Sequence, residues 1–169
     1  LTGSPFWNFS LGVYGTPGVP DACIRLQDEA GVDVNVMLYL LWLAGEGRKL
    51  DLADVRAIVE AVDGWRADVV VPLRTARRAL KSPPGLLDTE AAAALRTKVK
   101  AIELEAERLQ QEALYAFRPA REIGAASTAF EDAAGDNLAH YAKVLAQTFD
   151  ANAQNAVIKA AMAKAAAGR

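Results

Sequence analysis

Val69-Val70-Val71-Pro72-Leu73-Arg74-Thr75-Ala76-Arg77-Arg78-Ala79-Leu80-Lys81 is the stretch on which the fold turns. Three consecutive valines invite a strand, yet Val69, Leu73, Ala76 and Leu80 fall together on a helical wheel, and no other stretch offers itself as a pairing partner. The segment therefore reads as a helix. Pro72 has then to lie in its first turn or kink it, because a later proline loses a hydrogen bond and clashes with the turn before it. With each residue advancing about 100°, Arg74, Arg77, Arg78 and Lys81 share one arc of that helix, beside its apolar face.

Upstream, helix signals follow one another closely. Ser4 and Pro5 start a first helix carrying Phe6, Phe9 and Val13 on one face, and Gly15-Thr16-Pro17-Gly18 ends it. Pro20 and Asp21 open a second helix that stops at Gly31, where a left-handed residue is wanted. Asp33 caps a third, Val34 to about Ala44, apolar nearly all round and so expected at the centre. A fourth begins at Asp51 and repeats apolar residues at Val55, Ile58, Val59, Val62 and Trp65. Downstream, Ser82-Pro83-Pro84-Gly85 reads as a linker. Asp88 or Thr89 then caps a long helix to about Phe117, whose Leu95, Val99, Ile102, Ala106, Leu109, Ala113 and Ala116 alternate spacings of four and three. That is a seam facing another helix, in this chain or in a second copy. Gly135-Asp136 restarts a helix through Leu138, Tyr141, Leu145 and Phe149, and the alanine-rich tail after Asp150 is expected to fray or to depend on a partner. The expectation is an all-α, compact multi-helix bundle: a helical core over residues 5–81, and a hairpin-like long helix plus return helix over 86–169, in a single domain.

Composition narrows the function. At 169 residues, 52% hydrophobic and 24% charged, the chain has enough apolar material for a sizeable core. Its net charge of −2 is spread evenly between the halves, which argues against generic nucleic-acid binding. The longest apolar run, Val36 to Ala44, is far short of the roughly 20 residues a membrane span needs. Leu1-Thr2-Gly3-Ser4 shows no basic-then-apolar leader pattern, and the lone Cys23 excludes an internal disulfide, which fits a cytoplasmic location.

One set of motifs carries a resemblance. At Phe6-Trp7-Asn8-Phe9-Ser10-Leu11, Val13-Tyr14, Pro17-Gly18-Val19, Cys23, Leu26-Gln27-Asp28, Gly31, Asp33-Val34-Asn35, Trp42, Trp65, Pro72-Leu73-Arg74, Arg77-Arg78 and Leu80-Lys81, the chain resembles DUF2390, a proteobacterial family of unknown function. The resemblance covers residues 5–81 and shows nothing of its specificity over 86–169. It implies a bacterial, cytoplasmic helical domain and supplies no reaction, cofactor or partner.

Four like charges on one arc repel, so Arg74, Arg77, Arg78 and Lys81 need water, internal carboxylates or a bound anion to offset them. Trp7 and Tyr14 on the first helix, Trp42 on the third and Trp65 on the fourth are core aromatics, or else the walls of a partly open pocket with Asn8, Gln27 and Asn35 as hydrogen-bonding groups. Asp33 is most simply an N-cap, and Asp28 a salt-bridge partner for the arginines. His140 stands alone, with Asn137 rather than a glutamate three residues before it, so no metal site is readable. Cys23 among apolar neighbours reads as a buried structural thiol. Phosphate loop, nucleophile elbow, Cys-x-x-Cys and His-Glu-x-x-His motifs are absent, which sets aside the standard enzymes, leaves an unusual one open and implies no cofactor. Two functions follow. The first is a non-enzymatic interaction or accessory protein with an aromatic and arginine-bearing surface, binding another protein or a second copy through Leu95–Ala116. The second is a module for a small anionic or acyl-bearing ligand, with Arg74, Arg77, Arg78 and Lys81 at its charged end and Trp7, Trp42 and Trp65 at its apolar end.

Overall fold

The computed structural model describes residues 3–83, 85 and 88–168, and the fold is all-α. The linker expected at Ser82–Gly85 includes Pro84, which lies outside the described residues. The chain divides into two compact units: Leu1–Ala61 with Gln111–Arg169, and Val62–Gln110.

In the first unit, local chemistry sets the helix ends. α1 (Pro5–Tyr14) is capped by Ser4, whose Oγ accepts from the Trp7 N–H at 3.1 Å. α2 (Val19–Ala30) closes on Gly31 at φ 65°, a left-handed conformation that costs glycine little. α3 (Val34–Gly45) is capped by Asp33, which accepts from the N–H groups of Asn35 and Val36. α3 is buried along nearly its whole length and packs on α1, on α7 (Phe130–Leu145) and on α8 (Ala151–Ala167). After α3, β1 (Arg48–Lys49) pairs antiparallel with β2 (Ala125–Ala126), and α4 (Leu52–Trp65) follows. Gly124 permits that close pairing: at φ 64° it adopts what other residues avoid, and a Cβ there would collide with the Lys49 carbonyl.

Asn137 on α7 ties these pieces together. Its Oδ1 accepts from the Leu50 N–H at 2.7 Å, while its Nδ2 donates to the carbonyls of Leu40 and Arg48 at 3.1 and 3.2 Å. His140 Nδ1 lies 3.0 Å from the Leu50 carbonyl, where the Nδ1–H tautomer donates, so α7 holds both polar groups of the Leu50 backbone. One α7 turn later, Tyr141 Oη accepts from the Asp33 N–H at 2.9 Å.

Three expectations change here. α7 starts at Phe130 rather than near Gly135, because Ala129 is extended and Glu131 and Asp132 favour a helix N-terminus at that point. It ends at Leu145, because Ala146 turns left-handed at φ 52°; Phe149 lies beyond the helix, buried against Tyr141. The alanine-rich tail does not fray: it is α8, capped by Asp150, with Ala153, Val157, Ala160 and Ala161 buried against α1, α2 and α3. Small side chains let these helix axes approach closely.

In the second unit, the helix of α4 continues through a π-helical turn, Arg66–Val70, into α5 (Val71–Ala79). The valines coil, as their helical-wheel pattern requires. Pro72 cannot donate to the preceding turn, and the widened turn absorbs both the missing bond and the ring. That extra residue rotates the faces: Val70 is the buried valine, Val69, Leu73 and Leu80 are half-buried, and Ala76 is exposed. α6 (Thr89–Phe117) has the expected length, and much of its expected seam is not covered by this chain. Within this unit Ala92, Glu103, Ala106 and Gln110 are buried, whereas Leu95, Ile102 and Leu109 of the expected seam are exposed; past Gln110 the helix belongs to the first unit, where Leu114 is buried and Ala113 and Ala116 are exposed.

Asn137→Leu keeps the bulk but takes away the acceptor of the Leu50 N–H and the donor to the Arg48 and Leu40 carbonyls, the last of which also sits in the α3 hydrogen-bond ladder. It is expected to lower unfolding stability by about 3 kcal/mol in urea titrations. A loss under about 0.5 kcal/mol would show that the clamp contributes nothing.

Candidate functional site

The arginine arc meets two glutamates on α6, and this explains the rotation of that helix. Arg77 grips Glu103 with both arms of its fork: Nε donates to Oε2 and Nη2 to Oε1 at 3.1 Å. Arg74 bridges Glu103 Oε1 at 3.2 Å and Glu107 Oε1 at 2.7 Å. Glu103 is only 4% exposed. Burial alone pushes its carboxyl up, but the hydrogen bonds and charges of Arg77 and Arg74 outweigh that and hold it below the usual carboxylate value. Nearby, Trp65 Nε1 donates to the Ala106 carbonyl at 3.0 Å, an approach that the small Ala106 side chain allows. Arg78 and Lys81 are exposed.

The remaining candidates lie in the other unit, at different depths. Trp42 is buried in an aromatic cluster with Phe6, Tyr39 and Tyr115, at centroid distances of 5.5 to 5.9 Å from Trp42. Trp7 is half-buried and Tyr14 exposed. Asn8 is exposed and donates to the Gly3 carbonyl at 3.3 Å; Gln27 is half-buried, 3.5 Å from Asp28 Oδ1. Asn35 is buried and accepts from Gln111 Nε2 at 2.8 Å. Cys23 is buried, and desolvation pushes its thiol up to about 12, which suits a packing role and leaves almost no thiolate at neutral pH.

Sequence reasoning passed over Glu103 and Glu107. Their i, i+4 spacing opposite the i, i+3 pair Arg74 and Arg77 was the available signal. It also passed over Tyr39, whose Oη, like Gln111 Oε1, is buried with no hydrogen-bond partner among the described residues. Burial, with Tyr115 beside it, pushes the Tyr39 hydroxyl up to about 12, so it stays protonated. Among the described residues, no cluster of His, Cys, Asp or Glu could hold a metal ion, and no helix is long and apolar enough to cross a membrane.

The model of a family described as protein of unknown function (DUF2390) matches residues 5–114. The chain belongs to that family. The DUF2390 match runs past the 5–81 expected from motifs and takes in α6 as far as Leu114, so the arginine helix and its two glutamates both lie within it. No curated protein and no solved structure matches the chain.

Glu103→Gln removes the buried charge while keeping the shape, at an expected cost of about 2 kcal/mol near neutral pH. A carboxyl held below its unfolded value contributes stability that is present above the unfolded pKa and lost as pH falls through the folded one. Urea midpoints of the wild type and Glu103→Gln should therefore converge in acid. A gap that stays constant with pH contradicts the ion-pair assignment.

Proposed function

We propose that this DUF2390 chain is a non-enzymatic helical interaction protein whose contact surface is the outer face of α6. One observation carries the reading: Leu95, Ile102 and Leu109, spaced seven residues apart, are 51%, 56% and 45% exposed. Large aliphatic side chains repeated on one line of a helix lose hydration cost when another helix covers them, and that spacing is the one a facing helix requires. The arginines play a different part. Arg74 and Arg77 are bonded to Glu103 and Glu107, so their charge is already met and their role is to seat α6. The same pairing weighs against a module for anionic metabolites, because the two guanidinium groups best placed for an anion already hold carboxylates. A bacterial cytoplasmic setting, implied by the family resemblance, is part of this proposal.

The test compares immobilised wild type, Ile102→Asp and Arg78→Ala in native lysate. Ile102 is more than half exposed, so the aspartate leaves the fold intact. Polypeptides held by the wild type and by Arg78→Ala are expected to be lost with Ile102→Asp. Equal retention by all three overturns the assignment of the surface to α6.

A further inference from the structure

The charges on α6 are segregated along its length. Its first half carries Arg96, Lys98 and Lys100 against Glu90; its second half carries Glu103, Glu105, Glu107 and Glu112 against Arg108. Of these, Lys98 and Glu105 are exposed and border the Leu95, Ile102 and Leu109 line on the same side, with Lys98 three residues after Leu95 and Glu105 three after Ile102. Exposed Ala91, Ala94 and Ala101 lie on that side too and leave room for a close neighbour.

Resting on the interaction reading above, we infer that the occupant of this face is a second copy of the chain, with its α6 laid antiparallel about a two-fold axis at Ile102. Two independent sets of residues agree on that centre. Leu95 and Leu109 are symmetric about Ile102, so reversal places Leu95 on Leu109 of the second copy and Ile102 on its own equivalent. Lys98 and Glu105 are symmetric about the same point to within one residue, so reversal places each lysine beside the other copy's glutamate, twice. A parallel arrangement in register would instead set lysine on lysine and glutamate on glutamate. Like charges across a helix pair are unfavourable and opposite ones set the orientation. Glu105 already accepts from Arg108 at 2.9 and 2.6 Å, and a carboxylate has lone pairs left for a second donor. Three large apolar side chains per copy make a small contact, below about 1,200 Å² in total, the range of weak and transient assemblies. The equilibrium therefore shows at high protein concentration.

Sedimentation equilibrium of the intact chain tests this. The mass is expected to rise with concentration from 18.0 kDa toward twice that value. Lys98→Glu, which sets glutamate against glutamate, and Ile102→Asp are both expected to hold the mass at 18.0 kDa where the wild type has doubled. The double variant K98E/E105K is expected to recover the heavier species, because the loss of the exposed Arg108 pair costs little. Orientation is read by thiol oxidation. L95C chains mixed with L109C chains should give a linked species containing one of each, while L95C alone should not link to itself. A mass of 18.0 kDa at every concentration, self-linked L95C, or dimers indifferent to Lys98→Glu overturns the inference. If self-pairing fails in this way while the lysate comparison still depends on Ile102, the face belongs to a different protein. If Ile102→Asp changes neither measurement, the interaction reading falls with it.

Discussion

A carboxylate withdrawn from water has to be matched by cations, and at Glu103 that requirement fixes the long helix. Arg77 meets it with both arms of its fork and Arg74 with a third hydrogen bond, which ties α5 to α6 in one rotational setting. Turning α6 to bring Glu103 inward also brings in Ala92, Ala106 and Gln110, and it carries Leu95, Ile102 and Leu109 outward. The buried ion pair therefore has a consequence on the opposite surface: it spends the arginine charge internally and leaves an aliphatic line exposed. Replacing such a pair with apolar residues often costs little stability, so its value here lies in choosing the rotation rather than in tightening the fold.

The other unit is organised by the same kind of constraint in neutral form. α3 has no polar face to offer water, so helices must enclose it, and the segment leaving it runs past the core with the Arg48 carbonyl and the Leu50 N–H turned toward α7. Asn137 resolves this with one acceptor and two donors aimed at three backbone groups. An amide can do this and an aliphatic side chain cannot. α8 completes the enclosure with alanine and valine, where close approach substitutes for side-chain bulk.

What the sequence made legible was local. Ser4, Asp33 and Gly31 end their helices through contacts within a few residues, and each of those ends was readable. The coiling of Val69–Val71 was readable too, because the apolar pattern outweighs valine's preference for strands. The widened turn at Arg66–Val70, the left-handed Ala146 and the burial of α8 were not, since each depends on neighbours distant in sequence or on a conformation its residue disfavours. The candidate site divides in the same way. Periodicity placed Arg74, Arg77, Arg78 and Lys81 together, but their shared arc could not name Glu103 and Glu107 as partners. Apolar spacing alone drew a seam on α6 for another helix, in this chain or in a second copy, and could not say that the ion pair turns much of that seam away from this chain's own core. Asn137 looked like the absence of a metal ligand, because its partners are backbone groups that carry no sequence signal.

The rotational setting of α6 can be read directly in solution. Hydroxyl-radical footprinting with mass spectrometry, run at a dilution where the mass is 18.0 kDa, reports which of its side chains meet water. Leu95, Ile102 and Leu109 are expected to oxidise several-fold faster than Leu114, which is fully buried. Protection of Ile102 and Leu109 at that dilution, with Leu114 reactive, would mean that Glu103 does not face its arginines and that the exposed aliphatic line does not exist.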